Sequence, residues 1–194
     1  MDREEVLQYF RDADALLDGH FILSSGLHAA RYLQCARVLM NPVVAAKLCR
    51  SLADRIREIP DIDIDLVVSP AMGGVVVGYE MARQLGVCSI FTERVDGVLA
   101  LRRGFEIAQG SRILMAEDIV TTGLSSRECI RLITERGGNV VAASCLIDRS
   151  NGMADVGVPL VSLAGLEIPA YTADNLPPEL AAIPARKPGS RGLT

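Results

Sequence analysis

Near the middle of the chain an apolar run ends in two adjacent carboxylates, and a string of small hydroxyl residues follows. The segment reads Arg112-Ile113-Leu114-Met115-Ala116-Glu117-Asp118-Ile119-Val120-Thr121-Thr122-Gly123-Leu124-Ser125-Ser126. The backbone N–H groups of residues 121–125 can fold round a phosphate at the start of a helix, where the helix dipole also favours an anion. Thr121, Thr122 and Ser125 add hydroxyl donors. Glu117 and Asp118 cannot hold a phosphate themselves. They can accept hydrogen bonds from two neighbouring hydroxyls of a sugar that carries one. A phosphorylated sugar therefore accounts for both halves of the segment. The plainer alternative is a capping box, Ser125-x-x-Glu128, preceded by a solvated acidic turn.

Two further segments carry the same kind of chemistry. In Ser69-Pro70-Ala71-Met72-Gly73-Gly74 the glycines let backbone amides approach an anion closely, though an ordinary strand-to-helix turn reads the same way. In the segment from Phe91 to Phe105, Arg94 on one side and Arg102 and Arg103 on the other flank a glycine-containing stretch. Guanidinium groups suit bidentate phosphate contacts. The alternative is a β-hairpin with solvated arginines.

The elements around these segments predict an α/β fold, a central, mostly parallel sheet flanked by helices. Residues 2–17 read as a helix, with Asp2 and Glu5 as a capping pair and Val6, Phe10, Ala13 and Leu17 at helical spacing. Asn41-Pro42 opens a second helix. Short apolar runs at 64–68, 87–91, 113–116, 140–147 and 160–166 read as strands, separated by helices at 75–85 and 125–136. Their apolar positions do not alternate, as expected when both faces of a sheet are covered. In such sheets ligands bind beyond the carboxyl ends of the strands, which is where all three segments fall. The stretch from Asn175 onward, rich in Pro, Ala and Gly, is expected to pack loosely.

Composition narrows the class. A chain of 194 residues, 49% apolar, suits one domain with a sizeable core. A net charge of -4 gives no general field for nucleic acid. Five widely spaced cysteines read as reduced, mostly buried thiols, and His20 and His28 alone do not make a zinc site. The N-terminus has no apolar signal core and no run is long enough to span a bilayer, so a cytoplasmic setting is expected.

The segment at 112–126 resembles the phosphoribosyl-pyrophosphate signature of type I phosphoribosyltransferases. Residues 16–40 resemble the hood of orotate phosphoribosyltransferases, and Cys145-Leu146-Ile147-Asp148-Arg149-Ser150 matches the same family, so the resemblance runs from about residue 5 to 192. It implies one domain over residues 1–194, with a small N-terminal hood in residues 1–40 and a tail over 175–194. It implies a magnesium-dependent transfer of the phosphoribosyl group to orotate, giving orotidine 5'-monophosphate and pyrophosphate for pyrimidine synthesis. Phosphoribosyl pyrophosphate would be held by Ala71, Met72 and Gly73, with a cis peptide at Ala71–Met72, and by Glu117, Asp118, Thr121, Thr122, Gly123, Leu124 and Ser125. Arg94, Arg102 and Arg103 would lie on a mobile loop that closes over the pyrophosphate, and with Asp118 they form the catalytic set. Orotate would meet Ser24, Phe21, Tyr32, Thr121 and Arg149. Mg²⁺ would be held mainly by substrate and water, with no ligand set of the protein's own, and the family is homodimeric, with Arg94 completing the neighbouring site.

The chain departs from many members in having Ser24 and Gly73 where some carry lysine, Leu33 in place of an aromatic residue, and Arg94 where lysine is common. Arginine is a poor proton donor, so a charge clamp suits Arg94 better than general acid chemistry. A phosphoribosyltransferase for another base, or a regulatory protein that keeps the sugar-phosphate site without turnover, is the alternative.

Overall fold

The computed structural model describes residues 1–23 and 25–187. In chain order the elements are α1 (Arg3–Asp12), β1 (Leu16–Ile22), β2 (His28–Leu33), α2 (Cys35–Leu39), α3 (Pro42–Arg57), β3 (Leu66–Pro70) and α4 (Gly74–Leu85). There follow β4 (Cys88–Val95), β5 (Val98–Leu101), β6 (Arg112–Val120), α5 (Leu124–Glu135), β7 (Asn139–Asp148), β8 (Leu160–Gly165), β9 (Ala170–Tyr171) and α6 (Pro178–Ala181).

The first helix is shorter than its periodicity predicts. The Asp2 carboxylate caps it by accepting from the Glu5 N–H, and Val6, Leu7 and Phe10 bury its inner face. It ends at Asp12 because Asp14 enters the left-handed region at φ 48° and the Ala15 N–H returns to the Phe10 carbonyl at 2.7 Å. That closure does what a C-terminal glycine usually does. Leu16 and Leu17, read from the sequence as helical, belong instead to β1.

Six strands form the main sheet in the order β5-β4-β3-β6-β7-β8. The five from β4 to β8 run parallel and β5 hangs antiparallel on the edge. Successive residues of the inner strands feed opposite faces. Val67, Leu114 and Ala116 join a core with α1, α3 and α4, whereas Val68, Ile113 and Met115 join a second core with Cys129, Leu132 and Ile133 of α5. Helices on both faces explain why the strand sequences lack alternation. The chain leaves β3 for β4 on one side and later returns to place β6 on the other. The crevice beyond the carboxyl ends of β3 and β6 is thus the switch point of the fold, where ligands collect.

A second sheet, β1-β2-β9, forms the hood. Residues 178–186 dock onto it through hydrogen bonds and one buried side chain, while the rest of that segment stays exposed. Leu180 is 3% exposed. Arg186 pairs in parallel with Phe21: its N–H donates to the His20 carbonyl and its carbonyl accepts from the Ile22 N–H, both at 2.8 Å. The His20 Nδ1–H donates to the Ile183 carbonyl at 2.8 Å, which leaves Nε2 to meet His28 Nδ1 at 2.6 Å. Residues 188–194 lie outside the described residues.

Candidate active site

The carboxyl end of β6 opens into a cleft of about 350 Å³ lined by residues 117–126. Gly123 takes φ 73°, a conformation that glycine adopts without strain, and stands as the N-cap of α5 without a side-chain cap. Ser125-x-x-Glu128 is therefore not a capping box. Glu128 reaches away to Arg94. The first N–H groups of α5 and the half-buried Ser125 side chain form a donor-rich rim, with Thr121 and Thr122 exposed beside them.

Glu117 and Asp118 stand at the inner wall of this cleft. Ser126, buried on the first turn of α5, donates its hydroxyl to Glu117 Oε2. Burial pushes the Glu117 carboxyl up to about 7; the Ser126 hydroxyl and the Arg94 charge pull the other way, and the Asp118 charge adds to the rise. Burial also raises Asp118, opposed by the N–H of Ile119, which donates to Oδ1 at 3.0 Å. The thiol of Cys35, at the start of α2, reaches the Asp118 carbonyl at 3.9 Å and ties the hood to the strand end.

The loop after β3 lies across from these carboxylates. Its Ala71–Met72 peptide is cis, as the resemblance implies. The Ala71 N–H donates to the Thr92 carbonyl at 2.7 Å. Met72 is 83% exposed. A β-carbon at Gly73 would lie 2.8 Å from Asp118 Oδ1 and 2.9 Å from Oδ2. The two loops predicted to share one ligand are thus in direct contact.

The three arginines are placed differently. β4 and β5 form a hairpin with Asp96-Gly97 at its turn. Arg94 donates to the Gly97 carbonyl at 2.8 Å and pairs with Glu128. Arg103 lies beyond β5, bidentate on Glu93 at 2.9 and 3.0 Å and 5.5 Å from the Phe91 ring centroid. Arg102 is exposed. The hairpin reading of this segment holds for β4–β5, and Arg94 and Arg103 rest on carboxylates of the chain itself.

Arg149 follows β7, and its N–H donates to the Val120 carbonyl at 2.8 Å. It does not bridge to Asp148. That carboxylate is occupied by the Ser150 N–H, the Ser150 hydroxyl and the Gly152 N–H at 2.6–2.9 Å. Arg149 Nε is buried without a hydrogen-bond partner among the described residues, and burial lowers the pKa of the group. In the hood, Phe21 is buried and Tyr32 half-buried, their ring centroids 5.7 Å apart. Ser24 lies outside the described residues.

Residues 37–157 match the family model of the phosphoribosyl transferase domain. An orotate phosphoribosyltransferase of Rhizorhabdus wittichii is 60% identical over 191 residues, spanning 98% of this chain and 97% of its own length. The chain belongs to the orotate phosphoribosyltransferase family. The orotate phosphoribosyltransferase of Parvibaculum lavamentivorans is 58% identical over the whole length of both chains. In fold, the chain is similar to the crystal structure of orotate phosphoribosyltransferase from Aeropyrum pernix, with a TM-score of 0.70, 23% identity, and coverage of 83% of this chain and 93% of that one.

Sequence reasoning passed over several residues that shape this orotate phosphoribosyltransferase-family site. Ser126 and Arg127 follow the signature and look like ordinary helix surface, yet one bonds Glu117 and the other bonds the Thr122 carbonyl. Glu93 and Glu128 read as hairpin and helix polarity, yet they hold Arg103 and Arg94. Only Glu128 had a sequence signal, its spacing from Ser125, and that pointed to a different bond.

Proposed function

We propose that this chain is an enzyme, an orotate phosphoribosyltransferase, which joins orotate to the phosphoribosyl group of phosphoribosyl pyrophosphate and releases pyrophosphate. The observation that carries this reading is the contact of Gly73 with Asp118, which sets the loop after β3 against the acidic strand end and the open N-terminus of α5. One crevice then offers amide donors on two sides and a carboxylate pair between them. Relatives 58% and 60% identical over nearly their whole length carry the name of this activity.

The residues divide the work as follows. The N–H groups and hydroxyls of Thr121 to Ser125 bind the 5-phosphate at the positive end of α5. Glu117 and Asp118 accept from the two ribose hydroxyls and stabilise positive charge as the C1–O bond lengthens, in an oxocarbenium-like transition state. Ala71, Met72 and Gly73 hold the pyrophosphate through main chain. Arg149 meets the orotate carboxylate with its unpartnered Nε, while Phe21, Tyr32, Ser24 and Thr121 bound the ring, whose nitrogen attacks C1 from the opposite face. Arg94, Arg102 and Arg103 supply charge to the departing pyrophosphate once Arg94 and Arg103 leave their carboxylates. The active form is a homodimer in which Arg94 reaches the neighbouring site, and the setting is the cytoplasm.

Mg²⁺ fits this arrangement. Glu117 and Asp118 are hard oxygen donors at the cleft wall, and Mg²⁺ characteristically completes its shell with water and substrate phosphates. When bound, the ion neutralises charge on the leaving pyrophosphate.

The test is to mix protein, orotate, phosphoribosyl pyrophosphate and Mg²⁺ and to follow orotate's ultraviolet absorbance. A magnesium-dependent fall, reversed by orotidine 5'-monophosphate with pyrophosphate, is expected. No fall, with phosphoribosyl pyrophosphate still bound, would overturn the choice of base and leave another base or a regulatory role.

A further inference from the structure

Arg127 lies one residue past Ser126. Its Nη1 donates to the Thr122 carbonyl at 3.0 Å and to the Asp155 carbonyl at 2.8 Å. Both acceptors are main chain, and Arg127 forms no ion pair with a carboxylate among the described residues. A β-carbon at Gly123 would come within 3.0 Å of this same nitrogen and of Val156 Cγ1, so the phosphate loop, Arg127 and the 154–156 segment are packed as one unit.

The segment reached through Asp155 begins at Arg149. It is internally braced: Asp148 accepts from Ser150 and Gly152, and the Ser150 hydroxyl accepts from the Ala154 N–H at 2.9 Å. A chain of hydrogen bonds and intervening peptide bonds therefore runs from Asp148, next to the residue proposed to meet the base, through Ser150 and Ala154 to Asp155, and Arg127 closes it onto the loop proposed to hold the phosphate.

We propose that Arg127 is a positioning residue that couples the base site to the phosphate site. It engages the Thr122 carbonyl, so that the loop presents N–H groups to an anion, and it fixes that loop against the segment that presents Arg149. Both bonds come from Nη1, whose two hydrogens serve the two carbonyls, and the permanent charge of the guanidinium strengthens each. The inference rests on the proposed function, in which phosphate occupies the 121–125 loop and the base lies at Arg149.

Ribose 5-phosphate and orotate fill the two sites without reacting, so their mutual effect can be read at equilibrium by calorimetry. In the unaltered protein, saturating orotate should tighten ribose 5-phosphate about fivefold, a typical coupling between sites. Arg127→Met should weaken ribose 5-phosphate alone by about tenfold and bring the orotate effect to unity. Arg127→Lys should recover part of the phosphate affinity. Equal affinities and an equal orotate effect in Arg127→Met and the unaltered protein would overturn the proposal, as would no orotate effect in the unaltered protein. If Arg127→Met does not fold, Arg127→Lys decides by the same ratio. Orotate turnover by the unaltered protein judges the proposed function separately, and its failure would leave the ribose 5-phosphate affinities to judge the loop clamp.

Discussion

The Asp118 carboxylate occupies the space where a side chain on residue 73 would begin, with Oδ1 and Oδ2 2.8 and 2.9 Å from the β-carbon position. The absence of lysine at this position therefore has a steric partner in this chain. Gly73→Ala must displace Asp118 by several tenths of an ångström. A misplacement on the scale of an ångström at a reacting centre costs about 10²-fold in rate. The expected result is a smaller fall in kcat/KM, about tenfold, with little change in melting temperature. Unchanged kcat/KM would mean that Asp118 can swing aside without consequence.

Glu117 gives the site a pH dependence. Its folded pKa of about 7 stands above the ordinary carboxylate value of 4.5 because burial disfavours the charge. The protonated form is thus favoured by folding. The stability it contributes is complete below 4.5 and is lost as pH rises through 7. Activity runs the other way, since only the ionised carboxylate makes charge-assisted hydrogen bonds to the hydroxyls and stabilises positive charge at C1. The kcat/KM for phosphoribosyl pyrophosphate should fall as pH drops below 7, and Glu117→Gln should remove that limb along with most of the rate. Ser126→Ala, which deletes a donor to the carboxylate, should move the limb to higher pH.

Arg149 predicts a conflict between stability and function. Its Nε is buried without a partner among the described residues, which costs the folded state. Arg149→Met keeps most of the packing and removes that penalty. The melting temperature should hold or rise by a few degrees while the KM for orotate rises by about 100-fold or more. A lower melting temperature with an unchanged KM would remove Arg149 from the base site.

The placement of Arg94 on Glu128 can be tested by complementation. Arg94→Ala and Asp118→Asn chains should each be inactive alone. Mixed after gentle dissociation, they should regain turnover if Arg94 serves the neighbouring site, because one site of the hybrid then has both groups. Turnover that stays absent in a verified hybrid would assign Arg94 to its own chain.

The tail is testable by stability. Leu180 is 3% exposed against the hood. Leu180→Ala should cost roughly 2–4 kcal/mol if the tail unfolds together with the hood, measured by urea denaturation. A negligible cost would show that residues 178–186 detach before the rest melts.

Much of this was legible in the sequence. The parallel strands show as short apolar runs because both their faces are buried, and the turn between β6 and α5, proposed to hold phosphate, stands out because hydroxyls, glycine and paired carboxylates have few other reasons to stand together. What was not legible depends on contacts between distant segments. Leu17 fits both the helical period of Val6 and Phe10 and an apolar strand, and Asp14 at φ 48° decides between them. Arg103 on Glu93 and Arg94 on Glu128 are pairings across a hairpin and onto a helix, which residue spacing does not reveal. The docking of the 178–186 segment lacked a signal because every bond that holds it uses a main-chain group of the segment, at Ile183 and Arg186, which residue types do not reveal.

That docking has a consequence for the order in which the molecule is assembled. β1 lies near the start of the chain, yet the His20 ring finds its carbonyl partner 163 residues later, at Ile183. Contacts so distant in sequence form late, because a long loop must close before they reward the chain. On the ribosome, α4, β6 and α5 can bring the phosphate crevice together while residues 178–186 are still unmade. A nascent chain should thus acquire affinity for a sugar phosphate before it can enclose a base. A ligand of the phosphate crevice would then act as a folding aid during synthesis, and a ligand of the hood would arrive too late to do so.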